Sequence, residues 1–93
     1  MTATKDEISD WFDRGVAQKA THMIVVCDTY GHEDYSCFAN SDADAIEQHS
    51  YYDGKNMQRV MEVYDLRANK TEQMNEHRAM HLPKMHNAEI TGG

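Results

Sequence analysis

Seven residues between two β-rich stretches, Asp28-Thr29-Tyr30-Gly31-His32-Glu33-Asp34, gather three carboxylates and an imidazole. Such a cluster can bind Mg²⁺ or Ca²⁺, or act as an acid/base pair if burial splits the pKa values. Its spacing is not that of a calcium loop, where acids alternate around a glycine and a glutamate closes the ring. Two further readings compete with metal or acid/base chemistry: a plain charged hairpin tip, and a recognition surface for a basic partner. His77 and His81 stand four apart, and His86 follows in the C-terminal stretch. On a helix the first two would share a face at zinc-chelating spacing. Arg78 occupies the place where a catalytic zinc site wants a glutamate, and its charge opposes a metal, so solvated histidines are expected.

The thiols offer little chemistry. Cys27 lies in an apolar run beside Asp28, which raises a thiol pKa, whereas a nucleophilic cysteine needs a base and an electropositive setting. Two cysteines are too few for the disulfide framework of a small secreted domain. A turn centred on His32 would bring Cys27 and Cys37 opposite each other, and a shift of one residue would part them; both are read as reduced, buried or half-buried thiols. Apart from the terminal pair the glycines are isolated, so no phosphate-cradling loop is present. No catalytic residue, metal or cofactor is assigned.

Binding is better represented than catalysis. Asp28, Glu33, Asp34, Asp42 and Asp44 form the candidate acidic partner-binding surface. Lys55, Arg59, Arg67 and Lys70 are the only basic concentration, with Lys55 and Arg59 expected at i, i+4 on one helical face. They suit a solvated face, or contact with an acidic patch or with RNA phosphates already held by another protein. Without a longer basic stripe, free nucleic acid is not an expected ligand. Of seven methionines, Met57 and Met61 are expected in the core; Met74, Met80 and Met85 could supply an adaptable apolar contact surface.

These side chains need a scaffold. Thr4-Lys5-Asp6-Glu7 has the spacing of a capping box, in which hydroxyl and carboxylate satisfy each other's backbone N–H groups. Ile8, Trp11, Phe12 and Val16 then recur at helical spacing and predict a helix fading near Lys19. Gly15 inside it either weakens the helix or permits close packing on a sheet. His22–Thr29 is β-rich and apolar on both faces, as for a strand covered on both sides or running through the centre. Tyr35–Ala39 returns as its antiparallel partner. Asn40 or Ser41 caps a short acidic helix from Asp42 to His49, whose first-turn aspartates suit the positive helix end. Met57, Val60, Met61 and Tyr64 stand at i, i+3, i+4 and i+7 and predict a helix from Asn56 to Leu66. A last helix is expected from Thr71 to Met80, stopped by Pro83, with residues 84–93 a loosely ordered tail.

Length and composition bound the result. Ninety-three residues make one small domain, 40% apolar and 27% charged. The expected class is α+β: an N-terminal helix, an antiparallel β-hairpin or small sheet, then two to three C-terminal helices. The net charge of −7 is uneven: eleven acids and three bases up to Asp53 give −8, and the remainder gives +1. Such a field repels free nucleic acid and attracts basic surfaces, including the grooves of nucleic-acid machines. No apolar run approaches the roughly 20 residues of a membrane span. The polar, acidic start lacks a secretory pattern, and no long apolar face demands a dimer. A monomer in the cytoplasm is therefore expected.

The strings ATHMIVVCDTYGHEDY (Ala20–Tyr35), GKNMQRVMEVYDL (Gly54–Leu66) and NEHRA (Asn75–Ala79) look like small proteins of phages and mobile elements. With its size and acidity the chain resembles phage anti-CRISPR proteins that inhibit the type I-F (Csy) surveillance complex. The resemblance implies a stoichiometric, non-enzymatic inhibitor in the host bacterial cytoplasm. It would dock on the backbone and large subunits of the crRNA-guided complex, with the crRNA as a further contact, and stop target DNA from hybridising. Such proteins share no active-site motif, so the residues named above rest on charge and placement. The alternative is a small acidic adaptor that binds a host protein through its acidic helix and methionine-rich C-terminal half.

Overall fold

The computed structural model describes residues 3–31, 33–54 and 57–83. Its elements run α1 (Lys5–Ala17), β1 (His22–Asp28), β2 (Glu33–Ala39), α2 (Asp42–Tyr52), β3 (Gln58–Asp65) and α3 (Lys70–Met74). The strands form one antiparallel sheet in the order β2-β1-β3. The expected α+β layout holds: an N-terminal helix, a small antiparallel sheet, then further helices. The tail expected over residues 84–93 lies outside the described residues, as do Lys55, Met85 and His86.

β1 is central, which explains its run of apolar side chains. Successive strand residues point to opposite faces, so Met23 and Val25 enter one core while Ile24 and Val26 enter another. The first core joins them to Ile8 and Phe12 of α1, Tyr64, Leu66 and Ala79. The second joins Ile24 and Val26 to Val60 and Val63, with Tyr35, Cys37, Tyr52 and Leu82 packed against them. The result is three layers: α1 and α3 on one side of the sheet, α2 on the other. All four β1 residues from Met23 to Val26 are buried, as a strand covered on both sides requires.

The caps read from sequence are present. Thr4 and Glu7 close a capping box at the start of α1. Ser41 caps α2 by accepting from Asp44 N–H at 3.0 Å, and α2 continues through Tyr52, past the expected end at His49. Gly15 lets α1 pack closely on the side chains of Leu66 and Phe38. A Cβ there would stand 2.5 Å from Leu66 Cδ1 and 2.7 Å from Phe38 Cε1. Gly15→Ala is therefore expected to destabilise by about 1–3 kcal/mol through overpacking, where helix propensity alone would favour alanine by roughly 1 kcal/mol. Urea midpoints of the two proteins give the sign.

Two expected helices are corrected. The Asn56–Leu66 segment is not helical over its length: Gln58–Asp65 is strand β3. A β-bulge explains the misleading period. Val25 pairs with Glu62 but Val26 pairs with Val60, which leaves Met61 as an extra residue. The insertion shifts the alternation by one, so apolar residues facing two cores mimic helical spacing. Met57, expected in the core, is 59% exposed and takes a positive φ of 60° at the entry to β3.

The last helix is only five residues, Lys70–Met74, instead of Thr71–Met80, because the following residues cover the edge of β3. Val63 N–H donates to Ala79 O at 3.0 Å and His81 N–H donates to Val63 O at 2.9 Å. A continuing helix would hold residues 79–81 away from those groups.

The hairpin turn is also displaced. Asp28 pairs with Glu33 and Cys27 with Asp34, so the turn centres between Tyr30 and Gly31, not on His32. Cys37 lies opposite Ile24. The two thiols therefore point to opposite faces of the sheet, and both are free. Burial raises both above the ordinary thiol value; a hydrogen bond to the Asp34 carboxylate raises Cys27 further, while one to Tyr52 partly offsets the effect at Cys37. The same Cys37 contact, together with burial, pushes the Tyr52 phenol up to about 12.

Candidate partner-binding surface

The five candidate acids divide between the two ends of the sheet. Asp28, Glu33 and Asp34 lie at the hairpin-tip end; Asp42 and Asp44 open α2 at the other. The seven residues of β2 separate the groups by about 20 Å at 3.3 Å per residue. At the tip, Asp28 Oδ1 accepts from Tyr30 N–H at 2.9 Å, which holds the turn in shape. Asp34 Oδ2 accepts from Ala3 N–H at 2.9 Å. Among the described residues, no cation forms an ion pair with Asp28, Glu33, Asp34 or Asp44; the ion pairs formed there engage other acids.

Aromatic and thioether side chains surround this tip. Thr29 N–H and Oγ1 both donate to Met57 O at 2.8 Å, tying the turn to the start of β3. Tyr30 is 78% exposed and Tyr51 57%. Tyr51 packs edge-on against Tyr52 at 4.9 Å between ring centroids, and Tyr52 against Tyr35 at 6.3 Å. Gln58 donates to the Tyr35 hydroxyl. Exposed Tyr and Met side chains are of the types enriched in protein-binding surfaces, and the acids beside them supply a charged rim. The sequence pattern places Met57 in the core and ends the helix at His49; neither points to Met57 and Tyr51 facing solvent beside the acidic turn.

Asp42 has a different role. Arg67 donates to Asp42 Oδ1 at 2.9 Å and to Asp65 Oδ1 at 3.0 Å, linking the start of α2 to the end of β3. Beneath this bridge lies His22, fully buried. Its Nε2 faces Arg67 at 3.5 Å and Asp42 at 3.9 Å, and its Nδ1 meets Thr21 Oγ1 at 2.9 Å. Thr21 Oγ1 donates in turn to Ala39 O at 3.3 Å, which suits a neutral ring with the proton on Nδ1. Burial lowers the His22 pKa below 6.5 and Arg67 lowers it further, outweighing the carboxylates of Asp65 and Asp42. Asp65 behaves differently: burial pushes it up, but the hydrogen bonds and charge of Arg67 more than offset this and hold it below the ordinary carboxylate value.

A histidine whose pKa is lowered by folding takes up its proton more readily when unfolded. Its contribution to stability is complete above the unfolded value and is lost as pH falls from there through the lowered folded value. The expected result is a lower urea midpoint at about pH 5 than at about pH 7, with a shallower pH slope in His22→Gln. An unchanged slope in that variant would remove His22 as the source.

The basic residues do not form one patch. Arg59 is exposed on β3, opposite Cys27 near the hairpin tip, so the shared helical face expected with Lys55 does not exist; Lys55 itself lies outside the described residues. Arg67 holds Asp42 and Asp65 at the far end of the sheet. Lys70 Nζ pairs with Asp13 at 2.8 Å. Nor do His77 and His81 share a helix face, because α3 ends before them; His81 Nε2 contacts Glu76 Oε1 at 2.7 Å. Among the described residues no group of three or more His, Cys, Asp or Glu side chains is placed to hold a metal ion.

A shallow cleft of about 320 Å³ opens beside α1, with Ile8 and Val25 among its apolar lining and Lys5, Asp34, Glu62 and Arg78 among its charged lining. These charged groups already have partners in the chain: Lys5 donates to Met74 O, Glu62 accepts from Tyr64 and Ala79, and Arg78 donates to Met61 O. The cleft thus braces the fold with its polar groups.

The fold and surface define a three-layer α+β domain with an acidic, tyrosine-bearing end. No helix among the described residues is long and apolar enough to cross a membrane. No family model, curated protein or solved structure matches the chain.

Proposed function

We infer that this chain is a binding inhibitor of a crRNA-guided type I-F surveillance complex, acting in the host bacterial cytoplasm without catalysis. The resemblance to anti-CRISPR proteins supplies the partner. The observation that carries the reading is the hairpin tip, where Asp28, Glu33 and Asp34 stand beside exposed Tyr30 and Met57 with no cation of the described residues paired to them. A DNA-binding channel is lined with lysine and arginine for phosphate. A rigid acidic projection competes for those same cations, and its tyrosines add contact area on which guanidinium groups can stack. In this reading the tip docks on the backbone and large subunits and excludes target DNA. Arg59, on the same end of the sheet, is the basic residue best placed to meet the crRNA; Arg67 and Lys70 already hold acids of this chain.

The deciding experiment is a gel shift of target DNA by purified type I-F complex, with and without excess of this protein. Loss of DNA binding, with the protein co-eluting with the complex, is the expected outcome. Unchanged DNA binding without co-elution would overturn the reading. Co-elution without loss of DNA binding would overturn the channel-blocking mechanism and move inhibition to nuclease recruitment.

A further inference from the structure

The two outer edges of the sheet are treated differently by the chain. On β3 the edge is occupied along its length. Gln73 accepts from Asp65 N–H and donates to Asp65 O, both at 2.8 Å. Val63 bonds through both backbone groups to Ala79 and His81. Arg78 donates to Met61 O at 2.7 Å and to Val60 O at 3.3 Å, Asp53 accepts from Val60 N–H at 3.2 Å, and Gly54 N–H donates to Gln58 O at 2.9 Å.

On β2 the opposite holds. Val63 directs its backbone groups outward, so Ile24 beside it directs its own toward Cys37. Alternation then turns Glu33, Tyr35, Cys37 and Ala39 toward β1, and turns the backbone groups of Asp34, Ser36 and Phe38 away from the sheet. Of these outward groups only Phe38 O has a partner among the described residues, Gln48 Nε2 at 3.0 Å.

We propose that the free edge of β2 is a docking site for an extended basic segment of a partner protein, which adds to the sheet as a strand beside β2. An uncovered edge is a template for backbone pairing. Charge selects the occupant. Glu33 and Asp34 mark one end of this edge. At the other, Asp44 Oδ2 lies 3.2 Å from the Gln48 Nε2 that reaches Phe38 O. A second copy pairing antiparallel about Ser36 would bring Glu33 and Asp34 toward the Asp44 of its mate, with −7 on each chain. A segment with lysine or arginine near both ends and β-branched residues between them meets the acids and pairs with the uncovered groups. This extends the proposed function by naming the element of the partner that is held, and rests on that reading only for the partner's identity.

The test uses the ¹⁵N-labelled full chain alone, titrated with a blocked synthetic peptide of alternating lysine and valine. The expected result is chemical-shift change and at least tenfold slower solvent exchange at the amides of Asp34, Ser36 and Phe38. The effect should weaken with salt and be absent with a glutamate–valine peptide. Ser36→Pro removes an outward N–H that the β1 ladder does not use, a position where an edge strand tolerates proline. That variant should keep its dispersed spectrum and lose the response; if it fails to fold, the wild-type titration decides alone. No response at the three amides with millimolar lysine–valine peptide, or an equal response to the glutamate–valine peptide, would overturn the proposal. Concentration-dependent shifts at the same amides without peptide would assign the edge to a second copy and overturn it too. Because no surveillance complex is present, a failed gel shift sinks the proposed function without touching this result, and a failed titration sinks only the edge.

Discussion

Under the proposed function, replacing Glu33 and Asp34 together by lysine should weaken inhibition of the type I-F complex by roughly 30- to 150-fold, about 2–3 kcal/mol. Exposed ion pairs are worth about 0.2–1 kcal/mol each, and reversal exchanges an attraction for a repulsion at both positions. Glu33 is exposed and Asp34 half-buried at the edge of the sheet, so the fold should survive. Asp34 loses its contact with Ala3 N–H, a modest cost at the start of α1. The wild-type protein should show a steep loss of inhibition with ionic strength, because screening acts on the same charges, and the double variant should show less. Full inhibition by a folded double variant would remove the hairpin tip from the interface. Circular dichroism and a urea midpoint establish that it is folded.

The largest effect on stability is expected at Tyr64. Its ring is fully buried and meets Phe12 edge-on at 6.2 Å between centroids, and its hydroxyl donates to Glu62 Oε1 at 2.9 Å. Burial, then the Glu62 contact, pushes its pKa far above the ordinary phenol value. Tyr64→Ala empties the middle of the core under α1 and should cost about 3–5 kcal/mol, a large part of the roughly 5–15 kcal/mol that holds a small domain together. Tyr64→Phe keeps the ring and removes one hydrogen bond, at about 1 kcal/mol, since Glu62 still accepts from Ala79 N–H. Urea unfolding of the two variants separates packing from the polar contact. Equal losses would mean that the hydroxyl, not the ring, holds this part of the core.

Local signals in the sequence carried over where the responsible partners lie within a few residues. The capping box of Thr4 and Glu7, the Ser41 cap and the double-faced apolar run of β1 needed no tertiary information. Burial on both faces was legible because Met23–Val26 left no polar side for solvent. The acidic turn Asp28–Asp34 was legible as a charged tip, since a hairpin must reverse where apolar residues stop.

The larger failures share a cause: a contact made far away in the chain changed what a local pattern meant. Met57, Val60, Met61 and Tyr64 fit helical spacing, yet β1 pairs with this segment, and the bulge at Met61 turns a strand's alternation into that period. Residues 75–80 read as helix until the open edge of β3 required their backbone. Arg67 and Lys70 read as free cations until folding brought Asp42 and Asp13 to them.

Composition and short-range spacing were enough for the acidic first half, the capped helices and the central strand. Tertiary structure alone decided the third strand, the separation of the five acids into two ends, and which edge of the sheet is covered. Those features arise when backbone groups and charges distant in sequence compete for the same partners, and no window of neighbouring residues records the outcome of that competition.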